Sequence, residues 1–333
     1  MTNPICLITG ATGAVGPHIV QACFATGWRV RVFERTAPTP GLLPDGVEVR
    51  VGDVTDSSAV AQAMQDTEVV IHLAALLHII HPPPALREKY ERINIGGTAT
   101  VVDAAIKAGV QRVVFASTIA VYGPSGGRVL DEESATYPDT FYGQTKLAAE
   151  KIVLTARRAD GQPLGTVLRF CAIYGSRIKG NYQRLLHALH RGRFVPVGNG
   201  ANRHTLVYDK DLARAVVLAM QHPAAAGKVY NVTDGKFHTI QDINLAISTA
   251  LGRKPPRLFL PIVPVRLAAG VLEDVAGLIG LQSPIGRATI EKYTEDIFVD
   301  GQRIQVELGF MPKYDLLTGW QETIQELRKS GKL

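Results

Sequence analysis

A tyrosine and a lysine four residues apart are the side chains of this sequence best suited to move a proton. Tyr142 and Lys146 lie in a run without proline or glycine between Gly143 and Val153, so we expect a helix on which they share one face. The ammonium of Lys146 favours a neighbouring phenolate, so we expect the pKa of Tyr142 to lie below its ordinary value of about 10. Such a phenolate can accept a proton from an alcohol while a hydride leaves the same carbon. The alternative is that the two side chains have no catalytic role and simply lie on an exposed face of the helix.

The start of the chain has the pattern of a strand, a glycine-rich loop and a helix. Residues 5–9 are mostly apolar, glycines follow at three-residue spacing, and residues 17–26 fit a helix. Glycines let the backbone approach a pyrophosphate, and the N–H groups at a helix N-terminus attract that anion. We therefore expect the loop to bind a dinucleotide; an ordinary strand-to-helix turn is the alternative. The predicted cofactor-binding residues of this loop are Gly10, Thr12, Gly13, Ala14, Val15 and Gly16.

The second predicted strand, residues 29–33, is followed by an acidic residue. Glu34 stands about 20 residues beyond the loop, where a carboxylate accepts the ribose hydroxyls of NAD and repels the extra phosphate of NADP. The next residue, Arg35, could instead hold that phosphate. The sequence favours NAD as the cofactor and leaves NADP open.

Further candidate contacts follow the third and fourth predicted strands, residues 47–51 and 68–72. Asp53 could contact the adenine amino group, and it suits a turn or a helix cap equally well. His72 ends an apolar strand, which indicates a structural role. The apolar residues that come next would let a cofactor lie close to the strand end: Leu73, Ala74 and Ala75.

Two histidines, His78 and His81, lie in a proline-rich loop over residues 76–87. Neighbouring histidines can hold a metal ion, but no carboxylate or cysteine accompanies them at ligand spacing. We therefore predict no metal site and expect the loop to face a substrate.

Strands and helices alternate up to residue 170, which predicts an α/β fold with a doubly wound parallel sheet of the Rossmann type. We expect residues 1–172 to form an NAD-binding domain to which residues 204–234 return. Residues 173–333 then form a smaller, mostly helical substrate-binding region. The strand predicted over residues 112–116 leads to Thr118, whose hydroxyl would face the ligand crevice at the carboxyl end of the sheet.

Composition narrows the class of protein. The 333 residues are 46% hydrophobic and 20% charged, as in soluble globular proteins, and no apolar run is long enough to span a bilayer. The N-terminal residues lack the basic segment and cleavage site of a signal peptide. The cysteines Cys6, Cys23 and Cys171 lie far apart in apolar surroundings, as expected of reduced core thiols. These features predict a cytoplasmic protein.

The formal net charge is +6, and basic residues are locally dense over residues 184–193. Such a charge is typical of a solvated surface, or of attraction to an anionic substrate or to anionic lipid headgroups. The sequence contains no nucleic-acid-binding motif, so we expect no nucleic-acid partner.

Motifs spread over the first half of the chain can be compared with known families as one ordered set. They comprise Gly10, Gly13, Gly16, Asp53, Val54, His72, Leu73, Ala74, Ala75, Asn94, Gly97, Thr98, Thr118, Val121, Tyr122, Gly123, Tyr142 and Lys146. In order and spacing the set resembles the extended short-chain dehydrogenase/reductase family. The resemblance implies that Thr118, Tyr142 and Lys146 form the catalytic trio, and that the latter two also contact the cofactor. It adds Val54 and Asn94 to the cofactor-binding residues.

The second half carries less specific motifs at residues 168–175, 179–182, 197–203, 307–310 and 317–320. They are similar to those of nucleotide-sugar 4-epimerases, especially bacterial enzymes that act on N-acetylglucosamine-type substrates in surface-polysaccharide pathways. The implied reaction oxidises C4 to a ketone with NAD and returns the hydride to the other face.

This resemblance implies substrate contacts and an assembly. Asn181 and Arg203 would lie over the diphosphate or uridine, and Thr118 and Tyr142 would contact the sugar. The resemblance also implies a homodimer paired through the helix over residues 94–108 and the helix following Tyr142.

Two alternatives to the epimerase remain open. One is a net oxidoreductase of a sugar, steroid-like or flavonoid-like alcohol, and the other is a non-catalytic NAD-sensing or scaffold protein. A 4,6-dehydratase is not expected. Dehydratases of the resembled family carry an Asp-Glu pair after the catalytic threonine, and here Ile119 and Ala120 occupy those positions.

An apolar stretch interrupted by prolines spans residues 258–281. Its charged residues argue against a membrane-spanning helix. We favour a helix that packs its broad apolar face on the substrate-binding region. The alternative is a partly exposed face that touches a membrane.

Overall fold

The computed structural model describes residues 3–77, 83, 86–278 and 295–333. The strands of this part are β1 (Ile5–Thr9), β2 (Arg29–Glu34), β3 (Glu48–Val51), β4 (Thr67–His72), β5 (Arg112–Thr118), β6 (Gly165–Phe170), β7 (Ala172–Tyr174), β8 (Arg203–His204), β9 (Leu206–Tyr208), β10 (Val229–Val232) and β11 (His238–Thr239).

The helices begin at the glycine loop and dominate the C-terminal part. They are α1 (Gly16–Ala25), α2 (Ser57–Ala63), α3 (Arg87–Tyr90), a π-helical turn (Glu91–Gly96), α4 (Gly97–Lys107), α5 (Phe141–Thr155), α6 (Asn181–His190), α7 (Asp209–Gln221), α8 (Ile240–Leu251), α9 (Ile262–Leu278), α10 (Gln302–Leu308) and α11 (Leu316–Lys329). Short 3₁₀ turns occupy Ile119–Val121 and Pro223–Ala225.

Within the described residues, seven strands form one parallel sheet in the order β10-β6-β5-β4-β1-β2-β3. The chain runs outward from β1 to β3 and then crosses back to β4, so the winding direction reverses between β1 and β4. Ligands of doubly wound proteins bind at the carboxyl ends of strands beside such a switch point. Helices flank the sheet, and apolar clusters of strand and helix side chains fill the space between them. The predicted Rossmann-type sheet with a mostly helical C-terminal part is confirmed.

The helical periodicity of residues 88–108 predicts one helix, and the structure confirms it. α3, the π-helical turn and α4 follow one another without a gap, and the backbone at Tyr90, Gly96 and Gly97 keeps right-handed helical angles. Close packing explains the glycine at the start of α4. A Cβ atom on Gly97 would lie 2.8 Å from Cγ2 of Val54, so the backbone approaches the segment after β3 more closely than any larger residue allows.

The C-terminal helices α8 and α11 pack together around an aromatic core. The rings of Tyr174 and Trp320 stack at 4.7 Å between centroids, and Ile243, Ile247 and Ile324 surround them. All three cysteines are free and buried, as predicted. Burial raises the pKa of the Cys6 and Cys171 thiols well above the ordinary value, which suits structural, unreactive thiols.

The prediction that the helix after residue 258 packs its broad apolar face is wrong for most of α9. Ala269 is buried, but the larger side chains face solvent: Val263 is 69% exposed, Leu267 68% and Val271 61%. In the described part of α9, Ala269 and Gly270 are the buried residues, and most of the bulky side chains point away from the rest of the described protein. No helix in the described ranges has the length and apolar character needed to cross a membrane.

Candidate cofactor and catalytic site

The glycine loop follows β1 at the switch point and is packed too tightly for side chains. Gly10 has a φ of +74°, and a Cβ atom there would lie 2.7 Å from the backbone nitrogen of Ala74. A Cβ atom on Gly16 would lie 2.1 Å from the carbonyl oxygen of Ala11. Both glycines therefore bring backbone close to backbone, which leaves the outer face of the loop open to a ligand.

Helix α1 presents its N-terminus to this loop. Its N-cap residue, Val15, is apolar, and no side chain of the described residues caps the helix. The first N–H groups of a helix lack partners within it, and the helix dipole makes that end positive. The predicted loop residues Thr12, Gly13 and Ala14 lie directly before this end. The arrangement fits the pyrophosphate of a dinucleotide.

Glu34 at the end of β2 is buried and bound to the same loop. Its carboxylate accepts hydrogen bonds from the Thr12 hydroxyl at 2.8 Å and the Thr12 backbone N–H at 3.3 Å. Burial raises the pKa of Glu34, and the bonds from Thr12 oppose that shift. Arg35 is exposed. The buried acid at the strand end is the feature expected of an NAD site.

Asp53 has the turn role that the sequence left open. Its carboxylate accepts bonds from the Thr55 backbone N–H at 2.9 Å and the Thr55 hydroxyl at 2.8 Å, which lower its pKa. The neighbouring helix α2 is capped by Asp56 instead. Val54 is buried against Gly97. A contact of Asp53 or Val54 with the cofactor stays a prediction.

A buried hydroxyl and imidazole network supports the strand ends. Nδ1 of His72 lies 2.7 Å from the Thr9 hydroxyl, and Nε2 lies 3.0 Å from the Thr98 hydroxyl. Because that Thr98 hydroxyl donates to the Asn94 carbonyl, Nε2 of His72 is the protonated nitrogen. Burial lowers the pKa of His72 to about 3, so the ring is neutral. His72 has the structural role that we expected.

Asn94 joins the segment after β4 to α5. Its side chain accepts a bond from the Leu76 N–H at 2.7 Å and donates to the Leu76 carbonyl at 3.1 Å and the Thr145 hydroxyl at 3.1 Å. The predicted cofactor contacts Leu73, Ala74 and Ala75 come just before Leu76 in the chain and are half-buried. Asn94 therefore holds the strand end against the helix that carries Tyr142. The histidines His78 and His81 lie outside the described residues.

The N-terminus of α5 packs against the segment that follows Thr118. The Thr140 hydroxyl caps the helix by accepting the Gly143 N–H at 3.1 Å. A Cβ atom on Gly143 would lie 2.7 Å from the carbonyl oxygen of Ala120. The hydroxyl of Thr118 accepts the Ala120 N–H at 3.2 Å. This packing brings the two parts of the predicted trio to the same end of the sheet.

Lys146 lies in the interior of this site. It is 2% exposed, and its ammonium sits 3.9 Å above the ring centre of Phe115. Burial lowers the pKa of Lys146 to about 7, and the carboxylate of Glu150 one turn later opposes the shift. The lysine is therefore poised to gain or lose a proton near neutral pH.

Tyr142 corrects our expectation about its pKa. Burial, with a smaller contribution from Tyr90, raises the pKa of Tyr142 to about 12. The expected lowering by Lys146 does not appear, because burial dominates the pKa of this phenol. A phenolate at Tyr142 therefore requires further positive charge in the site.

A buried ion pair below Lys146 was missed from the sequence. The carboxylate of Glu150 accepts bonds from the Arg169 guanidinium at 2.7 and 3.1 Å and from the Ser117 hydroxyl at 2.5 Å. Although burial works against it, the contact with Glu150 holds the pKa of Arg169 above its ordinary value. The spacing of Glu150 from Lys146, again four residues, was the available signal.

The two predicted substrate residues lie in the second half of the chain and are both exposed. Asn181 is the first residue of α6. Arg203 lies in β8, where its guanidinium sits 4.2 Å from the ring centre of Phe298 and its backbone N–H donates to Asp296 at 2.7 Å. Their contact with a substrate stays a prediction.

The sheet, the glycine loop and the Tyr142–Lys146 helix together define a dinucleotide-binding α/β protein built for proton and hydride transfer. Residues 6–233 match the NAD dependent epimerase/dehydratase family, and the chain belongs to it. It is an NAD-dependent enzyme of the extended short-chain dehydrogenase/reductase type.

Relatives with described activities cover nearly the whole chain at modest identity. An undecaprenyl-diphosphate-linked N-acetylglucosamine 4-epimerase of Escherichia coli is 27% identical, over 97% of this chain and 95% of its own. A UDP-glucose 4-epimerase of Vibrio cholerae is 28% identical, over 96% and 94%. A 3β-hydroxysteroid dehydrogenase/Δ5→4-isomerase of Mycobacterium tuberculosis is 27% identical, over 92% and 86%.

Among solved structures, MoeE5 in complex with UDP-glucose and NAD superposes with a TM-score of 0.75. It is 26% identical and matches 98% of this chain and 99% of its own. NAD in this neighbour agrees with the open helix N-terminus at α1 and the buried acid Glu34, and NAD is the cofactor of the family to which the chain belongs.

Proposed function

We propose that the protein is a nucleotide-sugar 4-epimerase that oxidises C4 of a UDP-hexose or UDP-N-acetylhexosamine transiently to a ketone. The observation that carries the proposal is the helix α5, which places Tyr142 and the buried Lys146 on one face beside the segment of Thr118. The epimerase relatives and the UDP-glucose complex of MoeE5 support the choice of substrate class.

In the proposed reaction Tyr142 accepts the proton of the C4 hydroxyl and later returns it. Thr118, at the carboxyl end of β5, donates a hydrogen bond to the same oxygen and steadies the developing ketone. NAD, when bound, would supply the hydride acceptor. Its positively charged ring would favour the phenolate form of Tyr142, which the ligand-free site disfavours.

Lys146 supports the tyrosine through its charge. With a pKa near 7, it is protonated only in part at neutral pH, because burial lowers its pKa and the carboxylate of Glu150 opposes that shift. A protonated Lys146 would favour the phenolate of Tyr142 and would be one of the residues that hold the nicotinamide ribose. Cofactor binding would in this way assist activation of the base.

The substrate side of the proposal rests on the second half of the chain. Residues 173–333 bind the nucleotide, with Asn181 and Arg203 beside the diphosphate or uridine, and residues 1–172 with 204–234 bind NAD. We place the reaction in surface-polysaccharide biosynthesis in the cytoplasm because of the relative that acts on an undecaprenyl-linked sugar.

The second candidate is a net oxidoreductase acting on a steroid-like or sugar alcohol, which the steroid dehydrogenase relative favours. The two functions differ in the fate of the hydride. An epimerase returns it to the product and needs no added cofactor once NAD is bound, whereas a dehydrogenase releases NADH.

The test is incubation of the purified protein with a panel of UDP-sugars, with C4 epimers detected by NMR and NADH followed by absorbance. Epimer formation without stoichiometric NADH supports the proposal. Steady release of NADH with a sugar or steroid alcohol supports the oxidoreductase. Tyr142→Phe serves as the control, because it removes the proposed base while keeping the ring.

A further inference from the structure

An exposed surface outside the catalytic site combines a bulky apolar face with a basic border. The apolar part consists of α9 and the residues just before it, and its most exposed side chains are Leu258 (77%), Val263 (69%), Leu267 (68%), Val271 (61%) and Leu272 (59%). The basic part consists of exposed side chains on two neighbouring segments: Arg191, Arg193, Arg253, Lys254 and Arg257. We call the whole the basic-apolar surface.

Backbone hydrogen bonds hold the two segments side by side. The Leu260 N–H donates to the Pro196 carbonyl at 2.9 Å, and the Gly198 N–H donates to the Leu260 carbonyl at 2.9 Å. A Cβ atom on Gly192 would lie 3.6 Å from a guanidinium nitrogen of Arg253. The basic residues of both segments therefore border the same end of the apolar face.

The segments that form most of this surface carry positive side chains and no negative ones. Residues 181–208 and 243–272 contain no aspartate or glutamate. The next acids are Glu273 and Asp274 towards the far end of α9, away from the basic border in sequence. Within these segments the exposed charges are therefore all positive: Arg184, Arg203 and Arg266 are exposed in addition to the five residues of the basic border.

Exposed apolar side chains in such a contiguous group mark an interaction surface. A helix that lies in a membrane interface has this composition, with apolar side chains entering the acyl region and basic side chains reaching phosphate headgroups. A second copy of the chain fits less well, because a symmetric contact would bring the two basic borders together. We propose that the basic-apolar surface docks the protein peripherally on anionic phospholipid bilayers, with α9 in the plane of the headgroups.

The proposal does not depend on the reaction assigned above. Binding is measured by flotation with vesicles of phosphatidylcholine alone and of phosphatidylcholine mixed three to one with phosphatidylglycerol. We expect wild-type protein to float with the mixed vesicles at low salt, and to be released at about 0.5 M salt, where surface charges are screened.

Two variants test the two parts of the surface. Leu267→Glu with Val271→Glu places charges on the apolar face and removes flotation. Arg253→Gln, Lys254→Gln and Arg257→Gln together weaken binding roughly 100-fold, since each basic residue near an anionic surface contributes about five-fold.

Matched controls carry the same kinds of change elsewhere. Val306→Glu alters an apolar side chain on α10 that is 74% exposed. Lys107→Gln, Arg128→Gln and Lys151→Gln together remove three exposed charges distant in sequence from the surface. Both controls should float like wild type, and all variants should keep wild-type circular dichroism and turnover of a water-soluble substrate.

The proposal fails if wild-type protein does not bind the mixed vesicles at low salt, or if the controls lose binding as much as the surface variants. If the glutamate pair instead lowers the mass in light scattering and leaves flotation unchanged, the surface joins copies of the chain and the membrane assignment is wrong. A protein that floats yet lacks epimerase activity upholds this inference and overturns the proposed reaction alone.

Discussion

Tyr142 is half-buried in a site that raises the pKa of its phenol to about 12, so the ligand-free protein holds this tyrosine neutral. We predict that Tyr142→Phe folds normally and binds NAD, yet loses about 10²–10⁴-fold in turnover, the usual contribution of a general acid–base group. Steady-state kinetics and NAD titration provide the measurement. Tyr137→Phe, at a side chain that is 76% exposed, is the control. Near-normal turnover in folded Tyr142→Phe would remove Tyr142 from the reaction.

Lys146 gives the ligand-free protein a pH-dependent stability. Its pKa is about 7 when folded and about 10.5 when unfolded, so between these values the unfolded chain binds more protons and stability rises with pH. Below pH 7 Lys146 is charged in both the folded and the unfolded chain, so the full free-energy cost of burying its charge is present. We predict that the free energy of unfolding gains about 1 kcal/mol from this residue between pH 7 and 8.

Urea denaturation of wild type and Lys146→Met at both pH values measures this contribution. The neutral methionine keeps the chain length and apolar contact with Phe115, so its stability should change less with pH by that amount. Equal pH dependence in both proteins would mean that Lys146 is not held near neutrality.

Glu150 acts on the reaction through Lys146 and is a positioning residue in our account. Removing its charge lowers the pKa of Lys146 further, so we predict that Glu150→Gln moves the alkaline limb of the kcat/KM profile down by about one pH unit. The substitution also leaves the buried guanidinium of Arg169 without its carboxylate partner, which lowers the free energy of unfolding by about 3–5 kcal/mol. Glu150→Gln combined with Arg169→Met avoids this cost and should keep the shifted profile. An unshifted limb in the folded double variant contradicts the role.

The glycine loop is the element that we expect to matter most for cofactor binding. Gly10 and Gly109 have nearly equal positive φ angles, +74° and +72°, but only Gly10 faces a crowded backbone. We predict that Gly10→Ala displaces the loop and weakens NAD binding at least tenfold, because its Cβ atom would meet Ala74. Gly109→Ala pays only the strain of a positive φ, about 1–2 kcal/mol, and should bind NAD normally. Calorimetric titration with NAD compares the two variants. Equal affinity for NAD would show that the loop can shift to fit the added Cβ atom without weakening cofactor binding, contrary to the prediction.

Strands and helices could be predicted from the sequence where a pattern of neighbouring residues was enough to determine them. β1 begins and ends at the predicted residues because a short apolar run before a turn suits a buried parallel strand. The π-helical turn at Glu91–Gly96 could not be predicted, since residue spacing indicates a helix but not a local change in its hydrogen bonding. The exposure of α9 could not be predicted either, because it depends on which core the helix meets. Helical spacing predicted the shared face of Tyr142 and Lys146, but their pKa values depend on burial that no spacing reveals.

At the scale of the whole molecule, catalytic and surface features lie on different parts of one chain. The proposed trio belongs to the sheet and α5, whereas the basic-apolar surface is built from α9 and the segments around Arg191 and Arg253. A change on one can therefore be made without altering residues of the other. This separation allows reaction and membrane binding to be measured as independent properties of the same protein.

The homodimer implied by the family resemblance stays a prediction, and the structure changes its basis. On the helix implied to pair the two copies, Val101, Val102 and Ala105 are buried within the chain and pack in its own core. The neighbouring helices α4 and α5 still present other apolar side chains at the surface: Ile106 is 39% exposed, and Leu147, Ala148 and Ile152 are half-buried.

We predict that these remaining side chains pair the helices of two copies, giving twice the chain mass of 36.0 kDa by light scattering at micromolar concentration. Ile152→Glu would bury an unpaired charge in such a contact and should produce monomers. Val306→Glu, at an exposed position on α10, should leave the mass unchanged. A monomeric wild type excludes the dimer. A wild-type dimer that survives Ile152→Glu places the contact elsewhere, and α9 is then the next apolar face to test.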